Sequence, residues 1–222
     1  MSTTLLAIAP DPCVCFPATW EIYTALVAVR GERSRPKYIY VDGRMTVVSP
    51  SHNHEEIKKR IGWMIEHLLT SMLIDFHPAG STTLLKSQRP RAGTEADESY
   101  YLTNIDRVVG KKDLFMGVDP PPDLVVEVVV SHSAADALEV YRRIGVREVW
   151  VYHDCGLEFL VLGADGAYHD SPTSSLLPPL AAEDLAPWID RLDPRGERQI
   201  RRDFRAWVAA TLPPGRRDDD ER

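Results

Sequence analysis

VVEVVVSHSAADALEVYRRIGVREVW, residues 125–150, changes its pattern twice, and those two changes define the fold class. From Leu124 to Val130 every side chain is aliphatic except Glu127, a run suited to a strand lined by valines on both faces. From Ala134 to Ile144 the positions Ala134, Ala137, Leu138, Tyr141 and Ile144 share one helical face, and Gly145 suits the C-terminal stop. Two further strands, EVWVYH and LEFLVL, follow around Asp154-Cys155-Gly156.

Working outward, Trp20, Tyr23 and Val27 stand at helical spacing before Gly31, which predicts a first helix of about three turns. KYIYVDGRMTVV alternates around Asp42-Gly43, so residues 37–48 should form a hairpin. A long helix is expected from Asn53 to Leu73, with Asn53 as its cap and Glu56 completing a capping box. HPAGSTTLLK and ESYYL read as strands joined by a polar turn, SQRPRAGTE, with Asp97 at the entrance of the second. Residues 103–122 read as a long loop, and the last third as a short helix and a terminal amphipathic helix with Ile200, Phe204 and Trp207 inward. The sum is α/β or α+β, with a mixed central sheet flanked by helices and preceded by a helix and a hairpin.

The expected organisation is a flexible arm over residues 1–16, one domain over 17–212 and a disordered acidic tail over 213–222. At 222 residues, 44% hydrophobic and 27% charged, the composition suits a soluble domain, and no apolar run reaches membrane-spanning length. The expected location is the cytoplasm. Cys13, Cys15 and Cys155 are an odd count with no second cluster to complete a zinc site. A net charge of −7 does not advertise a nucleic-acid binder, although Lys58-Lys59-Arg60, Lys111-Lys112, Arg142-Arg143 and Arg201-Arg202 form local basic clusters.

Glu127 poses the chemical question. A carboxylate in a strand with valines on both faces needs a metal, a cation or a cleft, because a lone buried ion costs several kcal/mol or protonates. Asp97 lies beside another strand, and two neighbouring strands that each present a carboxylate can converge on one Mg²⁺. An outward-facing residue on a half-exposed strand is the plainer alternative.

The succession SPSHNHEEI, GSTTL, EADESYYL, PPDLVVEVV and LEVYRRIGVREVWVY resembles the Uma-type family of "putative restriction endonucleases", within the PD-(D/E)XK nuclease superfamily, from about Trp20 to Phe204. The resemblance implies a restriction-endonuclease-like core with an acidic metal site for Mg²⁺ (or Mn²⁺). It places Asp97 and Glu127 as metal ligands, adds the backbone carbonyl of Val128, and assigns Glu55 as an assisting helix carboxylate. Ala96 stands where the family pattern has Pro.

The resemblance also implies a Lys four residues before the Tyr of the following helix, and this chain has Ala137 there. Such an ammonium helps orient the attacking water and offsets charge on the phosphate. Ala137 is readable as a plain core residue, as a natural loss of catalysis, or as an engineered change. Lys86 is the one lysine that topology would bring near the site as a substitute. His54 faces the core side of its helix by periodicity, and Glu55 faces away.

The expectation is a Mg²⁺-dependent DNA endonuclease scaffold with weak or absent hydrolysis. The alternative is a non-catalytic DNA- or protein-binding module on the same fold. DNA is the partner that the resemblance implies, and a homodimer the expectation by analogy with nucleases that cut both strands.

Overall fold

The structure is a computed structural model that describes residues 11–212 apart from 32, 34, 113, 131–133 and 192. Cys13–Pro17 form strand β1, and Thr19 caps helix α1 (Trp20–Arg30), which stops at Gly31. β2 (Lys37–Val41) and β3 (Arg44–Val48) are the expected hairpin, with Asp42 and Gly43 both at positive φ (48° and 85°) in its turn. Ser51, not Asn53, caps α2 (His52–Ser71) by accepting from the His54 N–H.

β4 (His77–Pro78) and β5 (Thr83–Lys86) divide the expected strand HPAGSTTLLK. β6 (Ala92–Glu95) occupies the segment expected as a polar turn, and β7 (Glu98–Tyr101) follows Asp97. One short helix, α3 (Ile105–Val108), interrupts the long loop. Residues 124–153 include β8 (Leu124–Val128), α4 (Ala135–Ile144) and β9 (Glu148–His153), with Gly145 in the left-handed region after α4. β10 (Gly156–Leu162) and an unanticipated β11 (Tyr168–Ser171) precede α5 (Ala182–Ile189) and α6 (Glu197–Thr211).

The strands form two sheets rather than one. The first has the order β1-β3-β2-β6-β5 and the second β11-β10-β9-β8-β7-β4, in which only β8 and β9 pair in parallel. Cys13–Pro17, expected within a flexible arm, are tied to β3 from Cys13↔Val48 to Pro17↔Arg44. Residues 1–10 and 213–222, expected as arm and tail, lie outside the described residues.

Alternation along β8 sorts the core into two layers. Leu124, Val126 and Val128 face a cluster with Ile61, Ile65 and Leu68 of α2, Leu185 of α5 and Phe204 of α6. Val125 faces the other way, with Val149 and Val151 of β9, onto Ala137, Val140 and Tyr141 of α4 and Ile39, Leu84 and Ala92 of the first sheet. Helix α4 is therefore packed between the two sheets, against β2, β5 and β6 on one side. Glu148 is buried at the start of β9 and accepts from Trp150 Nε1 (2.6 Å), Ser174 Oγ (2.7 Å) and both the N–H and Oγ of Ser175 (2.8 and 2.6 Å), which pins the 174–177 segment onto the second sheet.

Candidate metal and phosphodiester site

Glu127 shares the face of Val125 by strand parity and points toward α4 and the first sheet. Asp97 is the residue at which the chain leaves the first sheet (β6) for the second (β7). Its N–H donates to Val126 O (3.2 Å), and one step beyond the Glu98↔Val126 pairing it lies across from Glu127. Two like charges directly opposite on neighbouring strands repel, so this pairing requires a cation. Lys37, the first residue of β2, provides one: Nζ is 2.5 Å from Glu127 Oε1 and 3.2 Å from Asp97 Oδ1. The Tyr40↔Gly93 register of β2 with β6, continued toward the start of β2, brings Lys37 alongside Ala96 and so next to Asp97.

The remaining oxygens are also held. Val128 N–H donates to Asp97 Oδ2 (2.8 Å), and Tyr141 of α4 donates its hydroxyl to Glu127 Oε2 (2.8 Å). His54 Nε2 stands 3.3 Å from Asp97 Oδ1, within ion-pair range but without a formed hydrogen bond, while Nδ1 is 2.9 Å from Asp11 Oδ2. Asp11 in turn accepts from the Ser51 N–H (2.7 Å), so the cap region of α2 carries this imidazole into the site.

Burial and charge separate the two acids. Burial opposes ionisation of both, but Lys37, His54 and the Val128 N–H hold Asp97 well below the usual carboxylate range. Glu127 is pushed up to about 7 by burial, against the pull of Lys37 and with the push of the Asp97 charge. Burial also opposes the charge on His54, but Asp97 outweighs it and the imidazole pKa is raised. A folded-state pKa raised above the unfolded value stabilises below the unfolded pKa and loses that contribution as pH rises through the folded one. For Glu127 the window runs from 4.5 to about 7. Urea unfolding across that window should show wild type losing stability relative to Glu127→Gln as pH rises; a wild-type advantage that grows with pH contradicts the assignment.

The pair fits a hard divalent cation by its donor chemistry. Two carboxylates present oxygens to one positively charged point, the number that Mg²⁺ takes while keeping waters. Among the described residues no group of three or more His, Cys, Asp or Glu side chains is placed to hold a metal ion.

A family profile described as "Uma2: Putative restriction endonuclease" matches residues 20–193. The chain belongs to the Uma2 family. Among solved structures, a "putative nuclease belonging to DUF820" from Anabaena variabilis ATCC 29413 aligns with a TM-score of 0.52 and 15% identity, covering 73% of this chain and 96% of that one, which shows a shared fold. No curated protein gives a match.

Against the Uma2-type expectations, the structure brings Asp97, Glu127 and Val128 together and leaves two candidates elsewhere. Register places Lys86 away from the acids: β5 runs antiparallel to β6, so Lys86 pairs with Ala92 while Thr83 lies beside Glu95 at the Asp97 end. Its ammonium instead caps α4 by donating to Arg143 O (3.1 Å). Glu55 turns away from the acids and stands 3.6 Å from Lys58 and 3.8 Å from Arg35. Its neighbour His54 takes the inward place, as the periodicity of α2 indicated. Ala137 is fully buried one turn before Tyr141, on the face that meets Glu127, and packs as a core residue.

Lys37 is the group that sequence reasoning missed. Its signal was parity, since it shares a face of β2 with Ile39, whereas Tyr38 and Tyr40 pack with Tyr23 and Trp20 of α1.

Proposed function

We propose that this Uma2 chain is a Mg²⁺-dependent DNA endonuclease, with Mn²⁺ as the alternative ion, that hydrolyses phosphodiester bonds at the seam between its two sheets. Asp97 and Glu127 would hold the cation, with the Val128 carbonyl as a backbone contact. The carrying observation is the convergence of Asp97 Oδ1 and Glu127 Oε1 on a single cationic point. When bound, the ion would polarise the phosphate and activate water.

The chain's own groups set the geometry. The Val128 N–H turns the Asp97 carboxylate so that Oδ1 faces Lys37, and the Tyr141 hydroxyl does the same for Oε1 of Glu127 by occupying Oε2. Asp11 holds His54 by Nδ1 and directs Nε2 at Asp97. The expectation of weak or absent hydrolysis rested on a missing ammonium, and Lys37 alters that premise.

Burial favours a second reading. The side chains of Lys37, Asp97 and Glu127 are only 4%, 5% and 0% exposed, so the acids are already compensated and covered, as suits a non-catalytic DNA- or protein-binding module. Nicking of supercoiled plasmid separates the two. The nuclease reading expects Mg²⁺-dependent conversion to open circles that EDTA abolishes; salt-sensitive DNA binding without nicking supports the binding module. A homodimer that presents two such sites and a cytoplasmic location belong to the same proposal. No helix among the described residues is long and apolar enough to cross a membrane.

A further inference from the structure

Resting on the nuclease reading, we propose that Lys37 of β2 is the catalytic ammonium of this chain, delivered from the first sheet to the point that a lysine at position 137 of α4 would reach. The geometry carries it from both directions. Lys37 Nζ is within 3.2 Å of both acids, 2.5 Å from Glu127 and 3.2 Å from Asp97. On the opposite side, Ala137 lies one helical turn from Tyr141, whose hydroxyl is 2.8 Å from Glu127 Oε2, so a long side chain at 137 would project along the same face toward the same carboxylate. Both side chains would address the same carboxylate. Ala137 is fully buried in the cluster that holds Ile39 and Val125, and its methyl group leaves the volume to the lysine arriving from β2.

Three other described lysines are committed elsewhere. Lys58 donates to Ser81 Oγ (2.9 Å), Lys86 to Arg143 O (3.1 Å), and Lys111 pairs with Asp119. Lys37 alone among the described residues brings an ammonium to the acid pair.

The role follows from charge. In hydrolysis the water oxygen forms a new bond to phosphorus, the bond to the leaving sugar oxygen breaks, the water gives up a proton and the leaving oxygen takes one. Negative charge accumulates on the non-bridging phosphate oxygens in between. An ammonium beside Asp97 and Glu127 lies next to those oxygens and offsets that charge while remaining protonated throughout. Lys37 also has a ground-state role, because it keeps two opposed carboxylates from repelling each other. The test therefore needs a readout that a structural role would not move.

Exchange of the two residues provides it. Lys37→Ala should lower Mg²⁺-dependent plasmid nicking on the order of 10²–10³-fold. The double variant Lys37→Ala/Ala137→Lys, which keeps one ammonium and the total side-chain volume, should recover to within about tenfold of wild type. Should Lys37→Ala fail to fold, the comparison is between wild type and the double variant, both of which retain the buried positive charge. Mn²⁺ binding, followed by the electron paramagnetic resonance of the free ion, should persist in every folded variant. Nicking by Lys37→Ala at the wild-type rate overturns the proposal, as does a folded, Mn²⁺-binding double variant that is inert. Wild type inert while Ala137→Lys alone nicks DNA also overturns it and leaves the nuclease reading standing. Absence of both Mn²⁺ binding and nicking in all forms removes the nuclease reading itself.

Discussion

Glu127→Gln should lower Mg²⁺-dependent nicking on the order of 10²–10³-fold, as loss of one charged group at a reacting centre does, while leaving the fold intact. The amide preserves the shape of the side chain. Its oxygen can accept from Lys37 Nζ, and its NH₂ can donate to the Tyr141 hydroxyl oxygen, so each neighbour keeps a hydrogen bond, the one to Tyr141 reversed in direction. What disappears is the negative charge, and a neutral amide is a poor ligand for a hard cation. Stability should not fall in parallel. Burial already pushes Glu127 up to about 7, so ionising it over the range from 4.5 to about 7 weighs against folding. A variant with unchanged or raised stability and lost cleavage identifies a group kept for chemistry at a cost to the fold. Equal cleavage by the amide contradicts the metal assignment, and a large loss of stability contradicts the account of the cluster.

The second large effect is structural. Glu148→Ala should destabilise the protein by about 3–5 kcal/mol, in the range for removing one partner of a buried charged network. The carboxylate is buried and accepts from Trp150 Nε1, Ser174 Oγ, Ser175 N–H and Ser175 Oγ, all between 2.6 and 2.8 Å. Truncation strands Trp150 Nε1 and Ser174 Oγ inside the core, while Ser175, at the surface, loses the carboxylate that anchors it. Ser174 Oγ also accepts from the Leu177 N–H (2.9 Å), so loosening it frees the turn that delivers Leu177 and Leu180 to the core behind β8. Urea unfolding should show a lower midpoint with an unchanged slope. A loss under about 1 kcal/mol would mean that the segment is held by its leucines and not by Glu148.

Much of the fold was legible because local pattern and tertiary role agree. The valine run is a central strand, the Ala134 to Ile144 spacing is a helix ended by Gly145, and Asp42-Gly43 is a hairpin turn. β6 was read as a turn because Ala92-Gly93 has little strand propensity. Gly93 is there for a reason of packing, since a Cβ at that position would lie 2.5 Å from the Tyr23 hydroxyl. β1 was read as an arm because its five residues are exposed and pair on one side only, with β3. The division into two sheets turns on the chain crossing at Ala96-Asp97, which no periodicity announces.

At the site, Asp97 and Glu127 were readable because a carboxylate in an aliphatic strand demands a partner. The identity of that partner was not. Lys37 and Glu127 are 90 positions apart, and their contact depends on which face of β2 meets the second sheet. Local alternation shows only that Lys37 and Ile39 share a face. Lys86 lies elsewhere for the complementary reason: the order of the strands suggests nearness to Asp97 but does not give the antiparallel register that sets it at the far end of β5.

The proposed divalent-cation site at Asp97 and Glu127 is bridged by the Lys37 ammonium. Anomalous diffraction from crystals of the protein soaked in Mn²⁺ tests it most directly. The expected result is a peak in contact with both Asp97 and Glu127, with Lys37 Nζ displaced from between them but still beside the acids. A map with no peak there, and Lys37 unmoved between the two carboxylates at saturating Mn²⁺, contradicts it.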